Sequence, residues 1–175
     1  MKRILALIAF LFISSASFAQ KITTYFSLDF GYLAYRFNTV DVDPGPNWKG
    51  HYLSDKDGFD IKVNGGLILK ERYNVGVGLS YMNFEGVNGL GSYADLGLAI
   101  LKNRKFTPIV YWNLGYSHLW NQYAGGTGTF LSDLGIRLKY QISSKIGVQA
   151  STGLFNTQQS FIRPYRIGVV FNKTY

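Results

Sequence analysis

"DLGIRLKYQISSKIGVQA", residues 133–150, decides the fold. Leu134, Ile136, Leu138 and Tyr140 alternate with Asp133, Arg137, Lys139 and Gln141. After the serine pair the alternation resumes with Ile146, Val148 and Ala150. Successive side chains of a strand point to opposite faces. Two neighbouring strands therefore share one apolar face and one charged face. A soluble sheet would turn the apolar face into a core. A sheet in lipid would turn it outward and seal the charges inside.

The same period runs through the chain, and eight segments carry it. The first is "TYFSLDFGYLAYRF", with Phe26, Leu28, Phe30, Tyr32 and Ala34 opposed by Ser27, Asp29 and Gly31. The second, "GFDIKVNGGLILK", sets Phe59, Ile61, Val63 and Leu67 against Asp60, Lys62 and Asn64. "YNVGVGLSYMNF" and "YADLGLAIL" follow, then "FTPIVYWNLGYSHL". The opening stretch supplies the sixth and seventh. The last is "YRIGVVFNKTY", with Tyr165, Ile167, Val169 and Phe171 opposed by Arg166, Gly168 and Asn172. Such persistent alternation predicts an all-β chain.

The links alternate in length. Those at 70–72, 102–105 and 143–145 are tight, whereas 38–57, 85–92, 120–128 and 156–163 read as long loops rich in turn formers. Short turns at one end and long loops at the other describe an up-and-down barrel of hairpins. Directly paired residues share a face. Face matching across the tight turns pairs Leu69 with Tyr73 and Ile142 with Ile146.

A lipocalin-like barrel, polar outside and carrying a small ligand inside, is the rival architecture. Four features favour the inverse. The apolar face is bulky and the polar face rich in glycine, which suits a lumen just wide enough for side chains. Aromatics gather at the segment ends: Tyr25, Tyr73, Phe106, Tyr140 and Tyr175 at the tight-turn end, and Tyr32, Phe59, Tyr81, Tyr93, Tyr116, Phe130 and Tyr165 at the other. Such girdles mark lipid–water boundaries. The polar face balances Asp29, Asp60, Asp95 and Asp133 against Lys62, Arg137, Lys139 and Arg166, as a sealed lumen requires. Finally, the chain closes on Phe171 and Tyr175, aromatic residues on one face of the last segment.

The first residues read as an export address. Lys2 and Arg3 precede the apolar run "ILALIAFLFI", and Ser17-Phe18-Ala19 ends on a small residue. This is the pattern of a secretory signal peptide over 1–19, with cleavage after Ala19. The run is shorter than the roughly 20 apolar residues of a spanning helix. Cleavage leaves 20–175, which is 175 − 19 = 156 residues, and lowers the formal charge from +8 to +6 by removing Lys2 and Arg3. There is no cysteine, hence no disulfide framework or thiolate metal site.

With these features in place, the mature chain resembles the small outer-membrane β-barrels of the outer-membrane protein A/X type. The Ala-Gln-Lys junction resembles Bacteroidetes export signals, and the terminal Phe171 and Tyr175 resemble the assembly signal of that barrel class. The resemblance implies an eight-stranded antiparallel transmembrane barrel in the outer membrane, surrounded by lipid or lipopolysaccharide, inserted by the barrel-assembly machinery and monomeric. It implies no individual functional residue.

Candidate chemistry is sparse. Small barrels of this kind include lipid-modifying enzymes that combine His, Ser and an acid. His118 has Ser117 beside it, but adjacent strand residues face opposite sides, and no carboxylate lies near. His51 sits among Asp41, Asp43, Asp55 and Asp57, a solvated acidic loop without metal-ligand spacing. No phosphate loop, dinucleotide fingerprint or zinc spacing occurs, so neither enzyme activity nor a cofactor is expected. The basic residues Lys70, Arg72, Lys102, Arg104, Lys105 and Lys145 fall in tight turns, which reads as a solvated or headgroup-facing rim rather than a nucleic-acid site. The sequence expectation is a non-enzymatic barrel whose loops bind a surface partner or support the envelope, with Trp48 and Tyr52 as candidate contacts. A narrow pore for small solutes is the alternative. Within the lumen, Asp29 is expected to pair with Arg137 or Lys139, and Asp60 and Asp95 with Lys62 or Arg166.

Overall fold

A computed structural model describes residues 22–39, 53, 55–101, 105–120 and 126–174. The signal-peptide region, Trp48, Tyr52 and Tyr175 lie outside the described residues. The strands are β1 (Ile22–Asn38), β2 (Gly58–Leu69), β3 (Tyr73–Phe84), β4 (Val87–Ala99), β5 (Phe106–Trp120), β6 (Thr127–Gln141), β7 (Ile146–Thr157) and β8 (Ser160–Thr174). Each pairs antiparallel with its chain neighbour, and β8 returns to β1 to close the barrel. Closure leaves no open sheet edge, which lipid would penalise. At 12 to 17 residues, the strands exceed the roughly 9–11 needed to cross a bilayer.

The tight turns follow the face-matching rule. Leu69 pairs with Tyr73, and the Ile142 amide donates to the Ile146 carbonyl at 3.0 Å. Two of the expected long loops do not exist. The link after β3 is Glu85-Gly86, and the link after β7 is Gln158-Gln159. All four residues have positive φ, at 47°, 94°, 51° and 52°, the signature of two-residue hairpins. The apolar alternation fades near residues 85 and 157, but backbone pairing continues beyond it. Phe84 pairs with Val87 and Thr157 with Ser160. Asn88 reinforces the first hairpin by accepting from Tyr81 Oη at 2.6 Å and Asn83 Nδ2 at 2.7 Å.

The apolar face is the outer face. Val77 and Ile167 are 70% exposed and Leu79 is 65% exposed, while Asn74 and Ser80 of β3 and Arg166 of β8 are buried. That inverts the lipocalin arrangement. Tyr73, Phe106 and Tyr140 stand outward near the tight-turn end, and Tyr32, Phe59, Tyr81, Tyr116, Phe130 and Tyr165 near the loop end. Two expected girdle residues turn inward instead. Tyr25 and Tyr93 are buried, because each occupies the lumen parity of its strand and its hydroxyl finds a polar partner there. Ala34 is also buried rather than outward, next to a register shift between Tyr35 and Phe37 that breaks the alternation of β1.

Leu79 sits midway along β3. Leu79→Arg should destabilise the folded barrel by about 2–4 kcal/mol if lipid surrounds it. Urea unfolding in lipid vesicles would measure this, and an unchanged midpoint would count against the lipid-facing assignment.

Candidate functional site

The lumen is the most organised part of the molecule, and glycine-to-side-chain neighbours explain how it is filled. Gly31 on β1 is flanked by Asp60 on β2 and Arg166 on β8. A Cβ at Gly31 would collide with Asp60 Oδ1 and Arg166 Cγ. The missing side chain lets Arg166 Nε donate to Asp60 at 2.8 and 3.1 Å across the intervening strand. Gly78 plays the same part between Asn64 and Tyr93. Tyr93 lies over it and donates its hydroxyl to Asn64 Oδ1 at 2.7 Å.

Charges of opposite walls meet at the centre. Asp133 on β6 accepts from Lys62 Nζ and Arg166 Nη1, both at 2.9 Å, and from the Tyr111 hydroxyl at 3.0 Å. Arg137 Nη2 reaches Asp95 at 3.3 Å, and Tyr25 donates to the same carboxylate at 2.6 Å. Asn113 stands between Asp95 and Asp133 in the register. With its amide oriented to satisfy both neighbours, it donates to Asp95 and accepts from Lys62, each at 2.8 Å. One chain of contacts therefore runs Asp60–Arg166–Asp133–Lys62–Asn113–Asp95–Arg137. Asp95 and Asp133 are 0% exposed, so full pairing is what makes their burial tolerable.

Two expected pairings differ. Asp29 forms no ion pair with Arg137 or Lys139 among the described residues. It accepts instead from Gln149 Nε2 at 2.7 Å, Asn64 Nδ2 at 3.1 Å and Ser27 Oγ at 3.2 Å. Lys139, half-buried nearer the tight-turn mouth, donates to Asn172 Oδ1 at 3.1 Å. Asp95 takes Arg137 rather than Lys62 or Arg166 as its ion-pair partner, because Asn113 stands between it and Lys62 and Arg166 is committed to Asp60 and Asp133. Asp60 pairs with Arg166, one of its two expected partners.

Towards the loop end the lumen is apolar, a layer absent from the sequence expectation. Leu33, Met82, Phe84, Leu119, Leu131, Phe155 and Ile162 form a buried cluster with Tyr93, joined by Leu53 from the first link. Their parity is the inward parity of each strand, so continuing the alternation past the charges would have found them. The two layers touch through cations over rings: Lys62 Nζ lies 4.4 Å from the Tyr93 centroid and Arg166 Cζ 5.7 Å from that of Phe155. Between the central charges remains a cavity of about 10 Å³, at the lower limit for one water molecule.

The first link is clasped to the loop-end mouth. Asp57 accepts from the Tyr32 hydroxyl and from the Tyr35 amide, the latter at 2.7 Å. The Tyr32 hydrogen bond and then the Tyr35 amide hold its carboxyl below the usual carboxylate range. The Leu53 amide donates to Ser160 Oγ at 3.0 Å.

Solved structures share this architecture. The N-terminal β-barrel domain of Pseudomonas aeruginosa OprF superposes with a TM-score of 0.60 at 15% identity, covering 86% of this chain and 97% of that one. Neisserial surface protein A gives 0.54 at 9% identity, covering 88% and 97%. The fold is that of a small outer-membrane β-barrel. At these identities the likeness is one of fold alone. No protein-family model matches the sequence, and no curated protein matches it closely enough to count as a relative.

Two other candidate positions lie on the outer face of the barrel. His118 faces outward and packs edge-on against Trp120, with centroids 4.9 Å apart. Phe171 also faces outward, tilted against Phe26 with centroids 6.4 Å apart. No group of three or more His, Asp or Glu that could hold a metal occurs among the described residues.

Asp133→Ala would strand Lys62 and Arg166 together without their shared carboxylate. It should cost about 3–5 kcal/mol, read as a lower denaturant midpoint for the folded form. Asp57→Ala should leave that midpoint nearly unchanged but accelerate hydrogen exchange at the Tyr35 amide. Equal exchange rates would mean that Asp57 does not hold β1 at the mouth.

Proposed function

We propose that the mature chain, 20–175, is a non-enzymatic outer-membrane protein whose sealed barrel holds its loop-end segments at the cell surface. There they would support envelope integrity or bind a partner. The observation that carries this reading is the lumen. A neutralised charge layer and an apolar layer fill it, and its central cavity is about 10 Å³. Such an interior suits a rigid anchor better than a passage for solutes.

The signal-peptide pattern over 1–19 and the apolar outer face support export and insertion into the outer membrane. The Ala-Gln-Lys junction favours a Bacteroidetes-type origin. Insertion would use the barrel-assembly machinery, with Phe171 and Tyr175 as the recognition signal, and would give a monomer surrounded by lipid or lipopolysaccharide. The first link carries Trp48 and Tyr52, the proposed partner contacts. Loops on a rigid scaffold are where binding usually resides.

Two measurements test the proposal. After cell breakage the protein should sediment with outer membranes, and recovery as a soluble periplasmic protein would refute the membrane assignment. In planar bilayers the purified barrel should show no steady conductance. Regular single-channel openings would favour the narrow-pore alternative.

A further inference from the structure

The formal charge of this barrel is unevenly placed. The eight lumen residues, four acidic and four basic, sum to zero. At the loop end, the described Arg36, Lys56 and Arg163 are matched by Asp55, Asp57 and Glu85. At the tight-turn end, the described Lys70, Arg72, Lys105, Lys145 and Lys173 face a single acid, Glu71, so 5 − 1 leaves +4. The described surface therefore concentrates its excess charge on one rim.

The arrangement of that rim identifies the kind of partner. Lys70 and Arg72 lie in the β2–β3 turn, Lys105 precedes β5, Lys145 precedes β7 and Lys173 is near the end of β8. The cations are thus spread around the circumference rather than gathered in one groove. Several adjoin a side chain that faces outward: Arg72 is followed by Tyr73, Lys105 by Phe106 and Lys145 by Ile146, all exposed. Lys105 and Lys145 each set an exposed charge directly beside an apolar or aromatic group in the membrane boundary, and Arg72 is half-buried beside Tyr73. A soluble polyanion would be met by a concentrated patch. A ring of cations at the level of an aromatic girdle matches the headgroups of the surrounding leaflet.

We propose that the tight-turn rim binds anionic phospholipid headgroups of the leaflet that meets it, an inference that rests on the membrane-barrel reading above. The attraction is electrostatic, amounts to about fivefold in preference per cation near an anionic surface, and is screened by salt.

The test uses the full mature chain in nanodiscs of phosphatidylcholine containing a spin-labelled probe lipid, either phosphatidylglycerol or phosphatidylcholine. The wild type should enrich phosphatidylglycerol in its first lipid shell several-fold, and about 1 M salt should abolish the excess. Combining Lys70→Gln, Lys105→Gln, Lys145→Gln and Lys173→Gln should remove most of it. The same four positions changed to Arg should retain it, as should the loop-end control Arg36→Gln with Arg163→Gln. No enrichment in the wild type, or enrichment indifferent to the rim variant or to salt, would overturn the proposal. So would heparin binding by the detergent-solubilised protein that is lost in the rim variant while lipid enrichment is absent, since this would assign the rim to a soluble polyanion. Heat-modifiable migration checks insertion of every sample. A wild type that fails to insert would refute the membrane reading itself. A rim variant that fails to fold leaves the salt dependence of the wild type to decide.

Discussion

An eight-stranded barrel has room inside for side chains and little else. Every charge turned inward must therefore find a counter-charge or, as Asp29 does with Gln149, Asn64 and Ser27, neutral hydrogen-bond partners within side-chain reach. This constraint organises the rest of the structure. It places glycine at 31 and 78, so that Arg166 and Tyr93 can cross a strand. It sets Asn113 between two carboxylates as a neutral spacer that serves both Asp95 and Lys62. It also concentrates responsibility on Asp133, which receives a lysine, an arginine and a tyrosine at once.

The outer surface obeys a different solvent. Nothing there needs a specific partner, so the exterior reads as a repetitive band of Val, Leu, Ile and aromatic side chains. The contrast between a repetitive exterior and a specific interior is the reverse of a soluble β-barrel. It explains why proteins with 9 and 15% identity can share the architecture. Many apolar sequences satisfy the outside, and many self-neutralising sets satisfy the inside.

Alternation made the fold and the facing legible, since a period of two survives without any knowledge of neighbours. It also brought together the eight charged residues as one inward set. Partner choice was not legible, because it depends on register around the whole barrel. Asp29 and Lys62 are direct neighbours across β1 and β2, yet Lys62 reaches Asp133 on the opposite wall. The apolar layer of Met82, Phe84, Leu119 and Leu131 was available from parity. It was obscured because both faces turn apolar there, as at Tyr81 and Met82, so the alternation loses its contrast. The hairpins at Glu85-Gly86 and Gln158-Gln159 were hidden for another reason. Strands that run on into water keep their hydrogen bonds but lose the hydrophobic pattern that announces them.

The bond between Arg166 and Asp60 has a consequence for the order of assembly. Its two residues belong to β8 and β2, on either side of β1, so the contact straddles the seam where the last strand meets the first. Before the seam zips, Arg166 can lean on Asp133 through β7, but Asp60 has lost its guanidinium. An unclosed sheet thus carries an unmatched carboxylate one strand in from its free margin as well as unpaired backbone. Both liabilities disappear in the same event. The final docking of β8 onto β1 is consequently a latch, and the pair between Arg166 and Asp60 rewards only the circle that has been completed.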